Sequence, residues 1–236
     1  MKKTTILTFF TLLSFGWLSA QSLLPVRYGI KLGANIANVN STPNNGVENI
    51  NNSSSTGILA GFYIEIPLND QWYINPEIIY TQKGFSFSYS YIHDYAVNQR
   101  DLHKSSNELK LGYVEINPTI SYKAFEKLSL NLGPSISYLV TKDYNTSDIA
   151  ENEGLASHEI LPIGEYKEKN LDVGVNIGFS YYLSEDVVID GKVNTSFMSA
   201  GEISKITYTG SNGNSIKSYI YNIKNSGIAL TIAYLF

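Results

Sequence analysis

The chain has 236 residues, with 17 basic and 21 acidic side chains, a formal net charge of −4 and no cysteine. The missing thiols exclude a disulfide framework or a thiolate metal site, and the acidic balance disfavours nucleic acid as a partner. Eighteen tyrosines and ten phenylalanines against two methionines favour an aromatic-rich β protein over a helical one.

At the amino terminus Lys2 and Lys3 precede a mostly apolar run from Ile6 to Leu18 and the small-residue junction Leu18-Ser19-Ala20-Gln21. The run falls short of the roughly 20 residues of a spanning helix. Residues 1–20 therefore read as a signal peptide cleaved after Ala20 rather than a retained anchor. Residues 21–236 then form one exported domain with 15 basic and 21 acidic residues.

Eight segments read as strands: 28–39, 56–66, 72–87, 108–122, 128–140, 170–182, 187–198 and 219–236. Each reaches the roughly 9–11 residues that a tilted strand needs to cross a bilayer. Their connections alternate. The links at 67–71, 124–127 and 183–186 are short, whereas those near 40–55, 88–107, 141–169 and 199–218 are long and polar. Short turns at one end and long loops at the other predict an eight-stranded antiparallel up-and-down membrane barrel, with both termini on the short-turn, periplasmic side.

Eight strands also suit a soluble lipocalin-like barrel, so the apolar face decides. In the sixth segment Leu171, Val173, Val175, Ile177, Phe179 and Tyr181 alternate with Asp172, Gly174, Asn176, Gly178 and Ser180. The fifth repeats this, with Leu128, Leu130, Leu132, Ile136 and Tyr138 against Ser129, Asn131, Gly133, Ser135 and Ser137. The polar face is too small for a soluble core, so the large residues are expected to face lipid. In the last segment Leu230, Ile232, Tyr234 and Phe236 share that face and end on an aromatic carboxy terminus, read as a signal for the barrel-assembly machinery. No wall-binding domain is expected beyond Phe236.

Trp72, Tyr122, Tyr182, Tyr234 and Phe236 gather at the turn-side strand ends and are expected to form an interfacial girdle, although aromatics also simply suit strands. Pro76, Pro118 and Pro134 count against regular central strands, since each removes a ladder donor.

The stretch Tyr28-Gly29-Ile30-Lys31-Leu32-Gly33-Ala34-Asn35-Ile36-Ala37-Asn38-Val39 resembles the first strand of PorT-like outer-membrane β-barrel proteins of Bacteroidota. Residues 57–63 and 76–84, and the Ala20-Gln21 junction, fit the same pattern. The resemblance covers essentially the whole exported region and implies the same barrel in an outer membrane. It implies an association with protein secretion only by kinship, and it carries over no catalytic motif.

Charged residues with lumen parity are Lys31, Glu65, Glu77, Lys83, Glu115, Asp172, Asp190 and Lys192. In a barrel this narrow they are expected to pair. Lys31 is expected to meet Glu65, and Lys192 to meet Glu77, Glu115 or Asp190. Such a network either plugs the lumen structurally or forms an ion or proton path; the plug is the expectation.

Enzymatic chemistry is not expected. His93, His103 and His158 fall in the long links, and Ser86, Ser88 and Ser90 near His93 and Asp94 encode no nucleophile activated by a fixed base. The acidic third link, with Asp143, Asp148, Glu151, Glu153, His158, Glu159, Glu165 and Glu168, lacks the spacing of an organised calcium loop and reads as a solvated surface. Phe85, Phe87, Tyr89 and Tyr91 alternate with serines, predicting an extension of the third strand above the membrane, with a partner surface as the alternative. The expected protein is a non-enzymatic envelope component without a cofactor. Its expected partners are membrane lipid, the assembly machinery and other envelope or secretion proteins; a small-solute or ion pore is the second reading and a lipid-modifying enzyme the third.

Overall fold

The structure, a computed structural model, describes residues 25–43, 51–96, 99–150, 166–204 and 220–236. The expected signal peptide lies outside the described residues. Among the described residues ten strands form one antiparallel sheet: β1 (Arg27–Pro43), β2 (Asn51–Pro67), β3 (Trp72–Ala96), β4 (Gln99–Phe125), β5 (Leu128–Ala150), β6 (Tyr166–Glu168), β7 (Leu171–Tyr182), β8 (Val187–Ser196), β9 (Gly201–Ser204) and β10 (Ile220–Leu235). Eight of them, in the order β1-β2-β3-β4-β5-β7-β8-β10, form a ring that closes where β10 pairs back onto β1. That seam runs from Gly29↔Leu235 to Pro43↔Tyr221. The short β6 and β9 pair with each other, and β9 also pairs with β10 above the ring.

Three tight links at one end set the registers. Asn69 Oδ1 accepts hydrogen bonds from the backbone N–H groups of Gln71 and Trp72, both 2.9 Å, an Asx device that turns the chain from β2 into β3. Ser184 Oγ does the same for Val187 N–H at 3.1 Å, between β7 and β8. The link between β4 and β5 is the two-residue turn Glu126-Lys127.

The strand alternation sorts side chains as the sequence pattern predicts. On β7 Asp172, Asn176 and Ser180 are buried while Leu171, Ile177, Phe179 and Tyr181 are exposed. On β5 Ser129, Ser135 and Ser137 are buried while Leu130, Leu132, Ile136, Tyr138 and Val140 are exposed. From Leu130 to Val140 the outward residues span ten steps, about 25 Å of membrane normal at the usual strand rise and tilt. This is the height of a lipid-facing belt. At its turn-side edge the Trp72 and Tyr122 rings lie 4.9 Å apart. Tyr234 and Phe236 are also exposed there.

On the same outer face Phe179 lies directly opposite Gly191, and its ring carbons would come within 2.7 Å of a Cβ at that position. The ring thus covers the backbone that the glycine leaves bare.

The strands extend beyond the predicted ends. β3 and β4 stay paired from Trp72↔Tyr122 to Ala96↔Gln99, so most of the 88–107 stretch expected as a loop is strand, in keeping with the aromatic alternation of β3. β5 follows β4 up to His103↔Ala150. At this end β2 pairs its first residues with β3 (Asn51↔Ser88), whereas the end of β1 stays with β10. Above the belt the wall therefore parts into a β2-β3-β4-β5 sheet and a β1-β10-β9-β6 sheet.

The three prolines do occupy strands. Pro76 and Pro118 are cross-strand partners. Ladder pairing skips from Ile116↔Ile136 to Ile120↔Leu132 around Pro118 and Pro134, and from Tyr63↔Glu77 to Ile66↔Ile74 beside Pro76. Each gap sits where a proline supplies no N–H, and the ladder resumes on both sides.

The belt makes a depth-dependent prediction. Ile136→Arg, near its middle, should destabilise the barrel by about 2–4 kcal/mol, and Val140→Arg, at its edge, by no more than about 1 kcal/mol. Equilibrium urea unfolding in lipid vesicles measures both; equal penalties would remove the assignment of this face to lipid.

Candidate functional site

Every charged position singled out by parity points into the lumen. Lys31, Glu65, Glu77, Lys83, Glu115, Asp172 and Asp190 are all buried, and Lys192 nearly so. The structure arranges them in tiers along the barrel axis.

The tier nearest the short turns is built around Glu65. Arg27 donates to Glu65 Oε1 through both Nε and a terminal nitrogen. Tyr182 Oη donates to Oε2 at 2.5 Å, and Arg27 also donates to the Glu185 carbonyl at 2.6 Å. The expected Lys31–Glu65 pair is not formed. The β1–β2 register sets Arg27 opposite Glu65 and Lys31 opposite Gly61, so Lys31 lies two lumen positions deeper. Arg27 was missed because it stands one residue before the predicted first strand, yet it shares the odd parity of Lys31. Tyr182 likewise departs from the expected outer girdle: its even parity matches Asp172, and its hydroxyl enters the lumen mouth.

The second tier joins five strands. Lys31 Nζ bridges Glu77 Oε1 on β3 and Asp190 Oδ2 on β8, the latter at 2.8 Å, and sits 4.8 Å from the centre of the Tyr63 ring. Lys192 Nζ reaches Glu77 Oε2 across the lumen at 3.1 Å. Ser180 donates to the other Asp190 oxygen.

The third tier centres on Glu115. Lys83 Nζ lies 2.8 Å from Oε2, Ser137 Oγ donates to the same oxygen at 2.9 Å, and Asn117 Nδ2 donates to Oε1 at 2.9 Å. Asn117 also reaches Glu77 Oε2 at 3.3 Å, linking the two tiers. Three ammonium groups thus meet three carboxylates across these tiers, so the network is electrically balanced, as burial in a low-dielectric interior demands.

Asp172 stands apart. Its Oδ2 accepts from Ser196 Oγ and Asn225 Nδ2, both 2.9 Å, and its Oδ1 has no hydrogen-bond partner among the described residues. Above it the lumen turns apolar: Val39, Phe85, Leu109, Leu111, Tyr113 and Ile223 form a buried cluster that caps the polar tiers. No feature of the sequence pattern isolates these residues from ordinary lumen positions, and the cap was not anticipated.

The enzymatic and calcium candidates are placed differently. His93 and His103 belong to the paired part of β3 and β4, with His93 in register with Asp101 and Tyr91 with His103. His158 and most of the acidic third link lie outside the described residues. Asp143 and Asp148 are on β5 and Glu168 on β6. A hydrogen bond from the Lys142 ammonium at 2.8 Å holds the exposed Glu168 carboxyl below the usual carboxylate range. Among the described residues no three His, Asp or Glu side chains gather as a metal-binding group.

The tiers and the surface pair should respond differently to loss of a lysine. Lys31→Met leaves Asp190 without its cation and should destabilise by about 3–5 kcal/mol. Lys142→Met, at an exposed pair, should change stability by less than about 1 kcal/mol. Urea unfolding of both variants in vesicles tests this; a mild effect at Lys31 would mean that the network contributes little to holding the barrel.

Several solved structures resemble this chain at low similarity. The attachment invasion locus protein Ail of Yersinia pestis is 11% identical, with 90% of this chain and 100% of that chain covered and a TM-score of 0.41. Neisserial surface protein A is 12% identical, with 90% and 100% covered and a TM-score of 0.41. OprG from Pseudomonas aeruginosa is 12% identical, with 89% and 95% covered and a TM-score of 0.44. No curated protein matches the sequence. The family model described as "Outer membrane protein beta-barrel domain" matches residues 19–201, more than half of the chain, and this protein belongs to that family.

Proposed function

We propose that this barrel is a non-enzymatic component of the outer membrane that acts through its surfaces rather than through a reaction or an open pore. The observation that carries this reading is the lumen: six of its charges pair with one another in the Lys31–Glu77–Asp190–Lys192 and Lys83–Glu115 groups, and an apolar cluster lies across it on the loop side. A lumen filled in this way supports a structural plug. The sheet formed by β2, β3, β4 and β5 beyond the belt supports contact with other envelope proteins or surface glycolipid.

The chain reaches this site by export with cleavage after Ala20 and is inserted by the barrel-assembly machinery, which reads the terminal Leu230, Ile232, Tyr234 and Phe236 pattern. Membership of the PorT-like branch, and with it an association with protein secretion, rests on the resemblance in the first three strands.

Purified protein in planar bilayers should give no steady ion conductance; large reproducible steps would replace the plug by a pore. In-membrane cross-linking followed by mass spectrometry should recover envelope or secretion proteins in stoichiometric amounts. A barrel recovered alone would argue against a role as a component of secretion machinery.

A further inference from the structure

We infer that the lumen is a dead-end water path, entered from the short-turn mouth and closed at the apolar cap, with water, and through it protons, as the ligand. The inference goes beyond the envelope role, which requires only that the barrel not conduct from end to end.

Three spaces succeed one another along the axis. The first is an open mouth of about 500 Å³ bordered by Arg27, Glu65, Lys123, Lys127, Ser129 and Tyr182. In outer-membrane barrels the short-turn end faces the periplasm. The second is a void of about 10 Å³ that shares Glu65 and Tyr182 with the mouth and reaches Asn75, Glu77, Thr119 and Asn131. The third, about 20 Å³, is lined by Asn35, Thr81, Lys83, Glu115, Lys192 and Asn194. The Lys192–Glu77 ion pair at 3.1 Å connects the last two, since each partner borders one of them.

Orphaned polar atoms mark the same places. Ser129 Oγ borders the mouth; Tyr63 Oη, Asn75 Oδ1 and Asn131 Oδ1 border the second space; Asn35 Oδ1 and Asn194 Oδ1 border the third. All are buried without a protein hydrogen-bond partner. A buried water needs roughly 10–15 Å³ and two to four polar partners, and both inner spaces meet this with groups that gain from it. Leaving such atoms unsatisfied is costly, and water removes that cost at little entropic penalty.

Between the mouth and the first inner space stands the Glu65 tier. Tyr182 Oη at 2.5 Å and the Arg27 guanidinium together occupy both Glu65 oxygens, so they form a latch across the entrance. At the far end Leu109, Leu111 and Ile223 are almost wholly buried among one another and their apolar neighbours and offer water no partner. The charged tiers are therefore hydrated from one side only.

The chain has no cysteine, so single thiols report access without a background. Silver ion, close to water in size, is the probe, and the unreacted thiol is read with a fluorescent maleimide after denaturation. In nanodiscs Asn131→Cys, on the first inner space, should react roughly tenfold or more faster than Leu111→Cys, in the cap. Adding Tyr182→Phe should speed Asn131→Cys several-fold and leave Leu111→Cys unchanged. The second comparison keeps each thiol at its own position. Equal rates at Asn131→Cys and Leu111→Cys, whether fast or slow, would overturn the one-sided path. So would a rate at Asn131→Cys that ignores Tyr182→Phe. Thr119→Cys borders the same space and replaces Asn131→Cys if that variant does not fold.

Discussion

A bilayer offers no hydrogen-bond partner to a bare backbone, and from this constraint the rest of the molecule follows. The sheet must close, and here it closes at eight strands through the β1–β10 seam. A ring of eight is too narrow for a wide aqueous channel, yet one face of every strand has to point inward. The large apolar residues are committed to lipid, so the interior receives serines, asparagines, glycines and charges. Ion pairing in tiers is the solution that such an interior permits. It is an inverted protein, with its oil outside and its polar groups packed within.

Electrostatics and backbone irregularity coexist at the same level of the wall. The proline gaps at Pro76 and at Pro118 and Pro134 flank the strand pair that contributes Glu77 and Asn117. A missing ladder bond in hydrocarbon is costly when nothing compensates it. Here the strands continue in register on both sides of each gap, and polar lumen residues stand immediately behind it. The wall is thus weakest in backbone pairing where the interior is richest in side-chain bonding.

How much was legible in the sequence depends on which physical signal each feature leaves. Strand number, the alternation of β5 and β7 and the inward direction of Lys31, Glu77, Glu115 and Lys192 follow from period 2, which the lipid boundary enforces strictly. The partner of Lys31 does not follow, because pairing depends on register, and a shift of four residues exchanges Glu65 for Gly61 without changing any side chain's face. Tyr182 was readable from parity but was assigned by its position near a turn. The tops of β3, β4 and β5 were hidden for another reason: residues 99–107 carry no apolar alternation in the sequence, yet they keep the backbone ladder. The cap of Leu109, Leu111 and Ile223 looks locally like any apolar strand segment; its facing inward follows only once the ring is closed.

The seam between the first and last strands has a kinetic meaning. Gly29 and Leu235 become neighbours only after nearly the whole exported chain has been laid down, and such distant pairing is slow to form. Until then the growing sheet has two unpaired edges, each a template for a foreign strand. The hazard in this protein's biogenesis is therefore the lifetime of the open sheet rather than the strength of any finished contact. Anything that holds β1 in waiting for β10 shortens that exposure.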